Sequence, residues 1–226
     1  MKLLAIDTAA NLCAACVFDS GSGNVAATRS LDVGRGHVEL LMPLVGELMA
    51  EAGCAFRDLS RIAVNVGPGS FTGVRVGVAA ARGFALALDI PAVGVSALEA
   101  IAAEARTDFP GRPVLVVLDA RREEVYSALH DASGARVDGP EVSTVEACAA
   151  IAGRHRAVLA GSAAAAVAQA AGGAHDFGPL GATAAIETFA RLAATAEAPS
   201  AAPKPLYLRA PDARPQTGFA VARAGR

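Results

Sequence analysis

Residues 3–9 read LLAIDTA and residues 114–120 read VLVVLDA. Each is an apolar run closed by an aspartate and a small residue, the pattern of a strand running into a tight turn. The likeness continues beyond the runs. Asp19 and Asp131 each follow the first aspartate by twelve residues, and the turn sequences SGSGN (20–24) and ASGAR (132–136) come next. Two strand–turn units in the same register predict an internal duplication of one α/β lobe.

Working outward, LCAACVF (12–18) and VAATRS (25–30) complete a three-stranded meander after the first unit. From His37 to Ala52 the apolar residues Val38, Leu41, Val45, Leu48 and Met49 recur at helical spacing, widened by Leu40 and Leu44. Such a stripe is broader than one sheet face requires. RIAVNV (61–66) then predicts a strand, Val74–Leu88 a helix of small residues, AVGV (92–95) a strand and Ser96–Ala105 a helix. After the second unit the expectation is a helix at 144–152, the strand AVLAG (157–161), and helices at 163–171 and 184–196. Polar, proline-containing ARTDFPGRP (105–113) suits a lobe junction. The domain expectation is therefore a first lobe at 1–108, a second at 109–202, a return of 203–212 to the first lobe through a strand at PLYLR (205–209), and a flexible basic tail at 213–226.

Composition narrows the function classes. With 53% hydrophobic and 19% charged residues among 226, the chain has ample material for a core. Lys+Arg 20 against Asp+Glu 22 gives a formal charge of -2, without the positive field of an autonomous nucleic-acid binder. Aromatic content of 4% with no Trp argues against a platform for stacked bases. From Pro203 onward Lys204, Arg209, Arg214, Arg223 and Arg226 face only Asp212, a balance of +4, so direct RNA contact would have to come from that tail. Four cysteines are too few for a disulfide scaffold, and Cys13 and Cys16, three apart on a strand, should point to opposite faces. A reducing cytoplasm is the expected compartment. No secretory signal is read before Asp7, and the Ala/Gly-rich stretch 157–174 reads as a strand and helix rather than a membrane span.

Chemistry concentrates in three places. GPGSFTGVR (67–75) lies between a strand and a helix, with Ser70 or Thr72 placed to cap that helix. It lacks the lysine and spacing of a P-loop and misses the G-x-G-x-x-G pattern, since the glycine after Gly67 and Gly69 is Gly73. Its residues Gly67, Pro68, Gly69, Ser70, Phe71, Thr72, Gly73 and Arg75 are candidates for an anion or partner contact, and Arg75, opposed to the helix dipole, is expected to meet a carboxylate or anion. Asp7 and Asp119 at equivalent strand ends could share a cleft, as metal ligands or as acid and base, or each could cap its own turn. His37 starts a helix, and His130, His155 and His175 have no metal-ligand spacing.

Two lobes each opening with a strand–Asp hairpin resemble the ribonuclease-H-like halves of the actin, sugar-kinase and chaperone-ATPase superfamily, with duplicated β-β-β-α-β-α units. MKLLAIDTA, GPGSFTGVR, LDARREEVY (118–126) and PLYLR together resemble the bacterial TsaB (YeaZ) family. That resemblance implies a non-catalytic paralogue of TsaD, the enzyme that transfers a threonylcarbamoyl group to N6 of the adenosine beside the tRNA anticodon. Its implied partners are TsaD as a heterodimer and the ATPase TsaE, with tRNA reached through the complex, a homodimer in their absence, and no membrane. The phosphate loops of the superfamily are degenerate here: Asp7 and Thr8 remain in the first, while Asp119 and Arg121 in the second stand among bulky Arg122, Glu123 and Glu124. AVLAGSA carries one glycine, Gly161, where the superfamily's adenosine turn has two. No nucleotide is expected on the chain alone, ATP or another nucleotide being placed only where partners join, and no metal is expected because Leu41 replaces the second histidine of the TsaD H-x-x-x-H helix. Val38, Leu41, Val45, Leu48 and Met49, with Gly73, Gly77, Ala80 and Ala81, are the expected partner interface. The alternative function is a stand-alone metal-dependent peptidase or small-molecule kinase.

Overall fold

The computed structural model describes residues 1–34 and 36–209. The first unit folds as β1 (Lys2–Asp7), β2 (Leu12–Asp19), β3 (Asn24–Asp32), α1 (His37–Glu51), β4 (Leu59–Asn65), α2 (Phe71–Leu88), β5 (Ala92–Val95) and α3 (Ala97–Asp108). The second gives β6 (Val114–Asp119), β7 (Glu124–His130), β8 (Arg136–Thr144), α4 (Val145–His155), β9 (Val158–Ala160), α5 (Ala164–Ala171) and α6 (Ile186–Thr195). Strand order is β3-β2-β1-β4-β5 in one sheet and β8-β7-β6-β9 in the other. In each, the opening strand pairs antiparallel with its hairpin partner and parallel with the strand after the helix. This is the duplicated α/β architecture that the repeated strand–Asp units predict.

Strand alternation distributes the core. Leu3 and Ala5 enter one cluster and Leu4 and Ile6 another, and Val114, Val116 and Leu118 likewise separate from Leu115 and Val117. Cys16 and Cys13 fall on opposite faces as their spacing requires, both buried and unpaired. Helices α1 and α2 cover the outer face of the first sheet, and α4 and α5 that of the second. Between the sheets lie α3 and α6: α3 rests on β6 and β9, while α6 rests on β1, β2 and β4. Their shared core includes Leu98, Ile101, Ile186 and Phe189, all nearly or fully inaccessible, each worth about 1.5–3 kcal/mol of transfer free energy.

Two expectations are corrected. α2 begins at Phe71 rather than Val74, because Ser70 caps it by accepting from the Gly73 amide, so half of GPGSFTGVR is helix. The second sheet has four strands among the described residues, as expected for that unit, and an isolated parallel bridge between Leu159 and Phe177 lies beside β9. PLYLR forms no strand, and one backbone bond, Leu206 N to Val66 O at 2.8 Å, holds it beside the first sheet. The tail at 213–226 lies outside the described residues.

Candidate functional site

β1 delivers Asp7 into the interior at the carboxyl end of the first sheet, where it is 1% exposed. Its Oδ1 accepts from the Ala9 amide (2.8 Å) and Asn65 Nδ2 (3.0 Å), and its Oδ2 from Thr183 Oγ1 (2.5 Å). Burial pushes the carboxyl above its ordinary pKa, against the lowering pull of the Thr183, Ala9 and Asn65 hydrogen bonds and of His37. Asn65 also donates to Thr183 Oγ1 (3.3 Å) and accepts from the Gly67 amide (2.8 Å). Asp7 therefore ties the first hairpin, the end of β4 and the segment entering α6 into one network. A shallow cleft of about 280 Å³ beside it is lined also by Thr28, Ser30 and Glu187.

Asp119 does not line that cleft. It is exposed, and its carboxylate accepts from the Arg121 amide at 2.7 Å, as Asp7 accepts from Ala9 two residues on. The duplicated aspartates thus share turn capping and are not brought together as a pair around that cleft.

The loop after β4 packs into the first hairpin. Ser70 N donates to Ala9 O (2.6 Å), and Thr8 Oγ1 donates to Gly73 O (2.7 Å). A Cβ on Gly69 would lie 2.2 Å from Ala9 O, and one on Gly73 2.0 Å from Thr8 O, so glycine is required by the close approach of two backbones. Gly67 needs its glycine for conformation, with φ 96°, and precedes cis Pro68. Gly67 and Pro68 are buried, whereas Ser70, Phe71, Thr72 and Arg75 reach the surface. Among the described residues Arg75 meets aromatic partners and no carboxylate. Its guanidinium sits 3.5 Å from the Phe71 ring centroid, and Nε donates to the Tyr207 hydroxyl at 2.7 Å.

In the second hairpin Arg121, Arg122 and Glu123 have φ of 61°, 57° and 64°. Three successive left-handed residues without a glycine cost roughly 1–2 kcal/mol each. The turn is held by Ala120 N to Glu124 O (3.0 Å), by Asp119, and by an ion pair between Glu124 and Arg209. After β9, Gly161 presses on Val117 O and Ser162 Oγ accepts from the Asp119 amide at 3.1 Å.

The expected partner interface needs correction. Leu41, Val45, Leu48 and Met49 are buried in the chain's own core, as are Gly73, Gly77 and Ala81, because they cover β1, β2 and β4. Of that set only Val38 is exposed, with Ala80 intermediate. The residues that do face outward are Val38 (62%) and Met42 (54%) on α1, and Phe71 (50%) and Leu86 (86%) on α2. α2 is long and apolar enough by length and composition to cross a membrane, yet it lies along β4 with 28% of its residues buried. His37 is buried at the start of α1, and among the described residues its Nε2 meets no hydrogen-bond partner and no group of three metal-ligating side chains occurs. Sequence reasoning missed Asn65, Thr183, Tyr207 and the Glu124–Arg209 pair. Asn65 was findable, being a polar residue that ends an apolar strand as Asp7 does; Thr183 carried no local signal.

Residues 31–208 match the family model described as "TsaD: tRNA N6-adenosine threonylcarbamoyltransferase". The tRNA threonylcarbamoyladenosine biosynthesis protein TsaB of Escherichia coli is 37% identical over 128 residues, 57% of this chain and 54% of that protein. The protein of the same name from Bacillus subtilis is 45% identical over 96 residues, covering 42% and 41%. The chain thus spans about half the length of the curated relatives it matches. A Pseudomonas aeruginosa protein with similarity to peptidase YeaZ superposes with a TM-score of 0.72 at 29% identity, over 92% of this chain and 99% of its own.

Proposed function

The chain belongs to the TsaB (YeaZ) branch of the family whose model it matches, and from that membership we propose that it is a non-catalytic subunit in tRNA threonylcarbamoyladenosine biosynthesis. In this reading it docks on the catalytic paralogue TsaD, with TsaE joining the pair, and tRNA is engaged by the assembly. The observation that carries the reading is the outward apolar face of α1 and α2, where Val38, Met42, Phe71 and Leu86 are half or more exposed while the opposite faces are committed to the core. Large apolar side chains grouped on two neighbouring helices favour a protein partner. Support for the absence of chemistry in this subunit comes from Asp7, whose two oxygens are taken by three internal donors, and from the Ser162 hydroxyl that meets the Asp119 amide.

The test is threonylcarbamoyl transfer to unmodified tRNA, with TsaC supplying the adenylate and TsaE and ATP present. TsaD alone, this chain alone and both together are compared. Transfer requiring both is the expected result, and turnover by this chain alone would overturn the reading. Met42→Glu and Leu86→Glu, both at exposed positions, should abolish binding to TsaD without unfolding the chain, since each buries a charge in an apolar contact. Unchanged affinity in both variants would place the docking face elsewhere.

A further inference from the structure

Residues 203–209 have no secondary structure of their own, yet they touch both sheets. Pro203 is buried against the backbone of Gly94 in β5, and Leu206 N bonds Val66 O just before the glycine-rich loop. Tyr207 lies over the first turn of α2, its ring 5.6 Å from that of Phe71 and its hydroxyl accepting from Arg75. Two residues further, Arg209 pairs with Glu124, the first residue of β7 and the residue that closes the left-handed turn 121–123. One short segment thus joins an exposed helix start to a strained turn on the other sheet.

We propose that residues 203–209 are a strap that couples contact at the start of α2 to the conformation of the β6–β7 turn. Successive left-handed residues without glycine persist only where their surroundings hold them. Of the restraints described above, the Glu124–Arg209 pair comes from outside the turn's own unit. Its outer end is the half-exposed Tyr207, which sits beside Phe71 on the face assigned above to a partner. A partner that displaces Tyr207 pulls on Arg209, and loss of the pair lets residues 121–123 leave the left-handed region. The trigger rests on the docking reading; the coupling between Tyr207 and the turn does not.

The test uses the full chain and amide hydrogen exchange resolved by mass spectrometry, comparing wild type with Tyr207→Ala and Arg209→Gln. Both side chains are at the surface or partly so, and unchanged far-UV circular dichroism checks that each variant folds. Arg209→Gln should speed exchange in the segment 120–125 about fivefold, the loss of one partly shielded ion pair. Tyr207→Ala, altered on the far side of the strap, should speed the same segment by at least about twofold. Gly83→Ala, at the other end of α2, should leave it unchanged. Faster exchange confined to 67–75 and 205–209 in Tyr207→Ala would overturn the coupling. Adding TsaD to wild type separates the two readings: binding with no change at 120–125 refutes the strap as a transmitter, whereas a Tyr207→Ala effect without any binding refutes the docking reading and leaves the strap standing.

Discussion

Gly73→Ala and Gly83→Ala put the same methyl group on the same helix and should move stability in opposite directions. At Gly73 the new Cβ would lie 2.0 Å from Thr8 O, and real contacts of this kind start at 3.0 Å, so α2 must retreat from the first hairpin by about 1 Å. That shift stretches the 2.7 Å bond from Thr8 Oγ1 to Gly73 O beyond hydrogen-bond range, and strains the 2.6 Å bond from Ser70 N to Ala9 O. Two weakened bonds at about 1 kcal/mol each, plus a buried hydroxyl left unpaired at about 1–3 kcal/mol, outweigh the roughly 1 kcal/mol that alanine gains over glycine in a helix. The net expectation is a loss of about 2–4 kcal/mol. At Gly83 nothing lies within 4 Å of the new methyl, so only the helix preference acts and stability rises by about 0.5–1 kcal/mol. Urea unfolding at a common slope reads both midpoints. If Gly73→Ala fell within about 0.5 kcal/mol of wild type, or both midpoints moved the same way, the argument that backbone contact dictates this glycine would be wrong.

His130 is 4% exposed, and burial, aided by Arg136 and Arg106 and opposed by Asp131, lowers its pKa to about 4 from 6.5. A depressed histidine stabilises the fold above about pH 6.5 and that contribution falls away between pH 6.5 and 4, by about 2–3 kcal/mol; His130→Gln should flatten the stability profile in that window, and an unchanged slope would assign the acid loss to other groups. Asp7 has the opposite sign, since burial raises its pKa, so ionisation costs stability as pH rises through the ordinary carboxylate range. Asp7→Asn keeps the Ala9 and Asn65 bonds through its oxygen, and its Nδ2 can donate to Thr183 once that hydroxyl turns to accept, so it should raise the urea midpoint more at pH 7.5 than at pH 4; a lowered midpoint at pH 7.5 would show that the carboxylate's hydrogen bonds outweigh its desolvation. Arg61 donates through Nη1 to the carbonyls of Ala193 (2.5 Å) and Ala196 (2.7 Å) at the end of α6. Arg61→Ala should cost about 2–3 kcal/mol, with a fall of about 4–12 °C in Tm to check it.

The fold was legible because its evidence is periodic and repeated. VLVVLDA echoes LLAIDTA, and each run is continuously apolar because its strand is buried on both faces, which a list of residues displays directly. The outward apolar residues of α1 were not legible in the same way. Val38, Leu41, Val45, Leu48 and Met49 mark an apolar stripe, but a stripe gives the direction of the core and not which additional apolar residues lie outside it. Val38, although on that stripe, is left to solvent at the start of the helix, as are Met42, off the stripe, and Phe71 and Leu86 on α2. Arg75 misled for a related reason: a cation opposed to the helix dipole needs compensation, but the compensation came from Phe71, one turn away, and Tyr207, far along the chain. Contacts between residues distant in sequence, such as Thr183 with Asp7, leave no local pattern to read.

The two hairpins show how one duplicated element was put to two structural uses. Both begin with an aspartate that caps the turn two residues later. In the first, the turn is filled by a neighbouring loop: Gly69 and Gly73 bring a second backbone against Ala9 and Thr8, so the carbonyls there face protein. In the second, the loop after β9 meets the strand end at Val117 and Asp119 through Gly161 and Ser162, and in the turn itself bulky Arg121, Arg122 and Glu123 adopt the conformation that glycines would take without strain. A glycine at those positions would remove the strain and leave the turn indifferent to Arg209. Keeping large residues there makes the turn depend on the ion pair to Glu124, and through it on the segment lying across α2. The bulky residues that strain the second turn therefore make it responsive, through the strap proposed above, to events on the first lobe.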